Sequence, residues 1–140
     1  MLTPLRVADF LAQVRHETAG LTILYQPADN GAGAMHMLPY NFRVACEDVP
    51  GMAEVFAAEF PTCGRSNPCT CGTDVEAGLI VQRPEWAFRT ATWWYTLGAA
   101  KLMGAPCGDL RFDADLGRGT PGSSSRNDPG TGCGLGRRAV

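Results

Sequence analysis

Apolar residues recur along the N-terminal stretch at Val7, Phe10 and Val14, and the same step carries the series on to Glu17. Steps of three and four residues mark one stripe of a helix, so the pattern predicts a helix to about Thr18 with this stripe towards a core. Thr3 offers a capping hydroxyl, Pro4 suits the first helical position, and Gly20 supplies a stop. The short β-branched run Leu21 to Tyr25 reads as a strand or extended arm. A turn cluster from Pro27 to Gly33 carries Asp29, and Ala34 to Leu38 reads as a second short strand, closing an irregular hairpin. Asp48-Val-Pro-Gly opens a second helix with Met52, Val55, Phe56 and Phe60 on one side. Asp74 caps a third, carrying Ala77, Leu79, Ile80 and Val81. After Pro84 the longest helix runs from Glu85 to about Met103, with Phe88, Ala91, Trp94 and Tyr95 as its stripe and Trp93 beside it. That aromatic group reads first as core packing, with one Trp or Tyr available to line a sugar subsite. From Gly117 the periodicity dissolves into Gly, Ser, Pro, Arg and Asn.

Composition narrows the class. A chain of 140 residues suits one domain with a real core, here residues 1–116, followed by a Gly/Ser/Pro-rich segment 117–140 that reads as a disordered tail or a mispredicted reading frame. The net charge of −2, with mixed signs, gives no basic stripe and argues against nucleic acid as a partner. No apolar run reaches the length of a membrane span. Six cysteines in so short a chain point to structural disulfides and an oxidising compartment, and Cys63, Cys69 and Cys71 crowd one loop. Their spacing lacks a CxxC pair and His16 and His36 lie far off in sequence, so a metal centre is disfavoured. Met1-Leu-Thr-Pro-Leu-Arg is not a signal peptide. Of the two explanations, a cytosolic protein with free thiols or a secreted one whose leader is missing from this chain, the cysteines favour the second.

Glu17 is the first candidate for chemistry. An acid on an otherwise apolar stripe, at the negative end of a helix, is biased towards its protonated form by burial and by the helix dipole, which is what a general acid needs. The competing reading is a boundary residue that turns to solvent or pairs with Arg15 or Arg43. The stripe alone leaves both open.

Phe10-Leu-Ala-Gln-Val-Arg-His-Glu-Thr-Ala-Gly20 resembles the family 19 chitinases, in which a Phe-Phe-Ala-Gln-x-x-His-Glu-Thr helix supplies the catalytic acid. Glu17 matches that acid, and His16 and Thr18 its neighbours. Gly31 to Phe42 is similar to their Gly-x-Gly-x-Ile-Gln-Leu-Thr-Trp-Asn-Tyr groove segment, and Ala87-Phe-Arg-Thr-Ala-Thr-Trp-Trp94 resembles their Phe-Lys-Thr-Ala-x-Trp-Phe-Trp helix. The chitinases have a longer interval between acid and groove, and their second Glu lies in it. Here no Glu occurs between Glu17 and Glu47, His36 stands at the groove Gln and Leu38 at the Thr. The chain therefore resembles a minimal relative in the wider lysozyme-like superfamily.

The resemblance implies a mainly α, lysozyme-like α+β fold: an acid-bearing helix, a small β-hairpin and a helical lobe. It implies Asp29, in the hairpin turn, as the ionised partner of a protonated Glu17, the division of labour that glycoside hydrolysis requires. The bland alternative for Asp29 is an Asp that caps its own turn before Asn-Gly. Tyr25, Gln26, His36, Tyr40 and Asn41, with His16 and Thr18, are the expected sugar contacts. For His36 a hydrogen-bonded cleft role is preferred to that of proton carrier. Asp109, Asp113 and Asp115 form a further acidic group, read as a solvated turn rather than a weak calcium site. The expected activity is endo-hydrolysis of a β-1,4-linked polysaccharide (chitin, the peptidoglycan glycan or a plant polymer such as mannan) by a secreted monomer that needs no cofactor. The alternatives are a catalytically inactive, glycan-binding or effector-like relative, and a small disulfide-stabilised secreted protein whose His-Glu-Thr match is chance.

Overall fold

The computed structural model describes residues 3–103, and within them helix α1 spans Pro4–Glu17. Thr3 caps it, its hydroxyl accepting the Arg6 N–H at 3.2 Å, and Pro4 takes the first turn. Its buried face differs from the apolar stripe: Asp9, Gln13 and Val14 turn inward, followed by Thr18, while Val7 is 39% exposed and Phe10 half-buried. The cause is Tyr95 opposite. Its hydroxyl demands polar company, and its ring meets Phe10 edge-on with centroids 5.4 Å apart.

Beyond α1 the chain reverses through three consecutive left-handed residues, Ala19, Gly20 and Leu21. Thr18 makes this possible. Its hydroxyl donates to the Val14 carbonyl at 2.6 Å and accepts the Leu21 N–H at 2.7 Å, offsetting the steric cost of left-handed backbone at a non-glycine residue. The expected strand from Leu21 is therefore mostly turn. Strand β1 is only Tyr25–Gln26, paired antiparallel with β2, Gly31–Ala32, in the register Tyr25↔Ala32 and Gln26↔Gly31. The second expected strand, Ala34 to Leu38, is also a turn, because left-handed Gly33 and His36 fold it back until Met37 forms a single bridge to Ala32.

Helix α2, Pro39–Asp48, falls where the sequence pattern offered none; Pro39 starts it and Phe42, Ala45 and Cys46 bury one side. Helix α3, Met52–Glu59, buries Met52 and Phe56. A 3-10 turn at Pro68–Thr70 lies in the cysteine loop. Helix α4, Asp74–Val81, is capped one residue earlier than expected: Thr73 and Glu76 form a reciprocal capping box. Ala77, Ile80 and Val81 are buried there, whereas Leu79 is exposed. Helix α5, Pro84–Trp93, continues through a π-helical turn, Trp94–Gly98, into α6, Ala99–Met103. Phe88 is 40% exposed, against expectation, and Trp86 takes the inward place with Arg89 stacked over its ring. A Cβ at Gly98 would overlap the Trp93 ring. Its absence, together with the wider π turn, lets Trp93, Trp94 and Tyr95 all turn inward.

The described fold is thus mainly helical with one two-stranded antiparallel sheet, and α2 sits at its centre, touching α3, α4, α5, β2 and the π turn. Two disulfides fasten the cysteine loop: Cys46–Cys69 ties it to α2, and Cys63–Cys71 closes it on itself. By loop entropy the former, with a separation of 23 residues, stabilises by about 3 kcal/mol. Arg43, one turn before Cys46, reaches the same loop. Its guanidinium donates to the carbonyls of Cys69 and Cys71 at 2.9 Å and Gly72 at 3.0 Å, and to Asp74 at 3.0 Å. At the far end of α2, Asp48 receives the Trp93 indole N–H at 3.0 Å and Lys101 at 2.7 Å, and these donors hold its carboxyl below the usual range. Among the described residues no helix is long and apolar enough to cross a membrane. Cys107, Cys133, the Asp109/Asp113/Asp115 group and the boundary drawn at 116 lie outside them.

Replacing Arg43 with Ala strands three loop carbonyls and should lower unfolding free energy by about 2–4 kcal/mol. Urea denaturation of the oxidised protein checks this; an unchanged midpoint would mean that the disulfides alone hold the loop.

Candidate functional site

The hairpin turn gathers the most organised polar group among the described residues. Asp29 Oδ1 accepts the Gly31 N–H at 2.8 Å, a turn that Asp forms with the residue two positions on. Its other oxygen lies 2.9 Å from His36 Nε2. The His36 bond lowers the Asp29 pKa most, desolvation pushes it back up, and the Gly31 N–H adds a lesser lowering, for a net shift below the ordinary value. Asp29 is therefore ionised at neutral pH, and the water that reaches its 44% exposed side chain favours the same form. Gly31 is needed for this packing: a Cβ there would come within 2.5 Å of His36 Nε2 and 2.9 Å of Asp29 Oδ1. Asn30 and His36 both adopt left-handed backbone, and the Tyr25 hydroxyl fixes the first by donating to Asn30 Oδ1 at 2.8 Å. Two such residues flanking one carboxylate show that the surrounding fold over-determines its position.

Glu17 is the last residue of α1, half-buried, and its side chain makes no hydrogen bond or ion pair among the described residues. Arg43, one of its possible partners, is committed to Asp74 and the cysteine loop. His16 is exposed and lines an open concavity of about 770 Å³ with Leu11, Ala12 and Arg15. Thr18 is fully buried, both functions of its hydroxyl taken by the backbone, so its part is to shape the turn rather than to meet sugar.

The remaining expected contacts divide. Tyr25 is half-buried and anchors the hairpin, its ring close against Gly78, while Gln26 is exposed on β1. Tyr40 is 62% exposed in the first turn of α2. Asn41, beside it, holds a buried amide oxygen without a hydrogen-bond partner. The structure therefore brings together Asp29, His36, Gly31, Asn30 and Tyr25. It records no direct contact joining Glu17 or His16 to that cluster. No group of three or more His, Cys, Asp or Glu side chains suited to a metal ion occurs among the described residues.

One acid escaped the sequence pattern. Asp9 is 8% exposed, and burial raises its pKa despite hydrogen bonds from Tyr95 and Gln13. The Tyr95 hydroxyl has one hydrogen, yet lies 3.0 Å from Asp9 Oδ2 and 3.1 Å from the Arg6 carbonyl. A protonated Asp9 satisfies both, donating to the Tyr95 oxygen while Tyr95 donates to Arg6. Its position one residue before Phe10 gave no hint of burial, since its inward turn depends on Tyr95, far along the chain.

Compared with protein families, with curated proteins and with solved structures, the chain matches none.

The Asp9 shift has a definite sign. A carboxyl whose folded value is raised contributes its full stability below the unfolded value of 3.8, and that contribution is lost as pH rises through the folded value. Asp9→Asn should therefore remove a decline in stability that the wild type shows as pH rises from 3.8 towards neutrality. Urea midpoints measured across that range test it, and parallel curves for the two proteins would refute it.

Proposed function

We propose that this protein is a secreted, lysozyme-like glycoside hydrolase, similar in its acid-bearing helix to family 19 chitinases, which cleaves a β-1,4-linked polysaccharide. Glu17 is the general acid and Asp29 the base or electrostatic stabiliser. The observation that carries the reading is the state of Asp29: a carboxylate held ionised by two donors, on the hairpin that follows the helix ending in Glu17. Hydrolysis of a glycosidic bond requires one acid that gives a proton to the leaving oxygen and a second that remains charged. That proton transfer is assigned to Glu17, half-buried as the last residue of α1. Exposed Tyr40 and Gln26 are the groups to which sugar hydroxyls would bind. Secretion accords with two disulfides in a small domain.

A second reading draws on the same turn. The hydrogen bond from Gly31 to Asp29 also shapes the hairpin, as it would in an inactive glycan-binding relative. Sugar release from chitin oligomers, peptidoglycan and mannan separates the two. The wild type should turn over at least one polymer, and Glu17→Gln and Asp29→Asn should each lower kcat by about a hundredfold or more. Glycan binding without turnover by folded wild type would favour the inactive relative. Full activity in Glu17→Gln would remove Glu17 as the acid.

A further inference from the structure

His36 was expected to touch sugar, but its geometry gives it another task. Its Nε2 is 2.9 Å from Asp29 Oδ2, and its ring lies so close to Gly31 that no Cβ fits between them. A carboxylate in its ionised form has no proton to give, so the hydrogen of this contact sits on Nε2 and the imidazole is the donor. The backbone of His36 adopts φ 45°, a conformation that non-glycine residues rarely adopt. That conformation accompanies the bend that returns Met37 to Ala32 and places the ring over Gly31. The Gly31 N–H takes one carboxylate oxygen and His36 the other, so rotation of the carboxyl group would break both bonds.

We infer that His36 is a positioning residue: from the far limb of the hairpin it fixes the plane of the Asp29 carboxylate, and it acts on the reaction through Asp29 rather than by touching sugar. This deepens the proposed function and rests on it for its kinetic consequences, but the arrangement itself is testable without any substrate. Glutamine at this position retains an N–H donor and has no titrating ring, so it separates positioning from proton transfer. Alanine removes the donor. Glycine also removes the donor while tolerating the left-handed backbone, and replaces alanine should that variant fail to fold.

The experiment uses the full 140-residue chain with its disulfides formed. The Asp29 carboxyl is followed by carbon-13 NMR through an acid titration in the wild type, His36→Ala and His36→Gln. The wild-type midpoint should fall below 3.8, rise towards 3.8 in His36→Ala, and return part of the way in His36→Gln. An Asp29 midpoint that ignores the alanine substitution would overturn the inference, whatever the enzyme does. On a polymer that the wild type cleaves, His36→Ala should lower kcat by about tenfold to a hundredfold with KM unchanged, and His36→Gln should recover most of it. A rise in KM alone would make His36 a sugar contact. Loss of kcat that glutamine does not rescue would make it a proton carrier. Either overturns positioning. If the wild type cleaves nothing, the hydrolase reading falls, and the carboxyl titration still decides the role of His36.

Discussion

The guanidinium of Arg43 holds together the part of the chain least able to hold itself. Between α3 and α4 the backbone forms only one 3-10 turn, so several of its carbonyls take side-chain donors. Arg43 supplies a fixed planar fork to three of those carbonyls and to the first residue of α4. Cys46 lies on the same side of α2, one turn later, and ties the loop covalently. At the other end of the helix Asp48 gathers Trp93 and Lys101. A helix of ten residues thereby connects the cysteine loop to the aromatic rod. Its buried side, Phe42, Ala45 and Cys46, forms the middle of the core between them.

Against that frame the surroundings of two aspartates move their pKa values in opposite directions. Asp29 lies in an exposed turn, where two donors stabilise its charge and solvent screens the rest. Asp9 is enclosed between α1 and the π turn, where burial outweighs its hydrogen bonds and favours the neutral acid. The proposed chemistry places the charge-bearing role on Asp29. The acid proposed beside it is Glu17, at the half-exposed end of α1, rather than the enclosed Asp9.

The long-range polar contacts also explain which stripe faces inward. On α1 the apolar series containing Val7 gave way to Asp9 and Gln13 because Tyr95 offers a hydroxyl at that point of the interface. On α5 Trp86 takes the inward place, with Arg89 over its ring, and Phe88 is 40% exposed. Helix α2 was hidden for a different reason. Its period of Phe42, Ala45 and Cys46 is too short to stand out, and Tyr40-Asn41-Phe42 matched a groove segment by resemblance.

The sequence by itself determined what depends on neighbours in the chain: the cap and start of α1, its end near Thr18, the turn around Asp29, the starts of α3, α4 and α5 within a few residues, and a disulfide-bonded loop. Each follows from local propensity, turn chemistry or cysteine spacing. Only the tertiary structure decided the disulfide partners, the inward turn of Asp9, the use of Thr18 in a backbone turn, and the grip of His36 on Asp29. Those depend on groups brought together by folding, and the energy of such a contact appears only when both partners are in place.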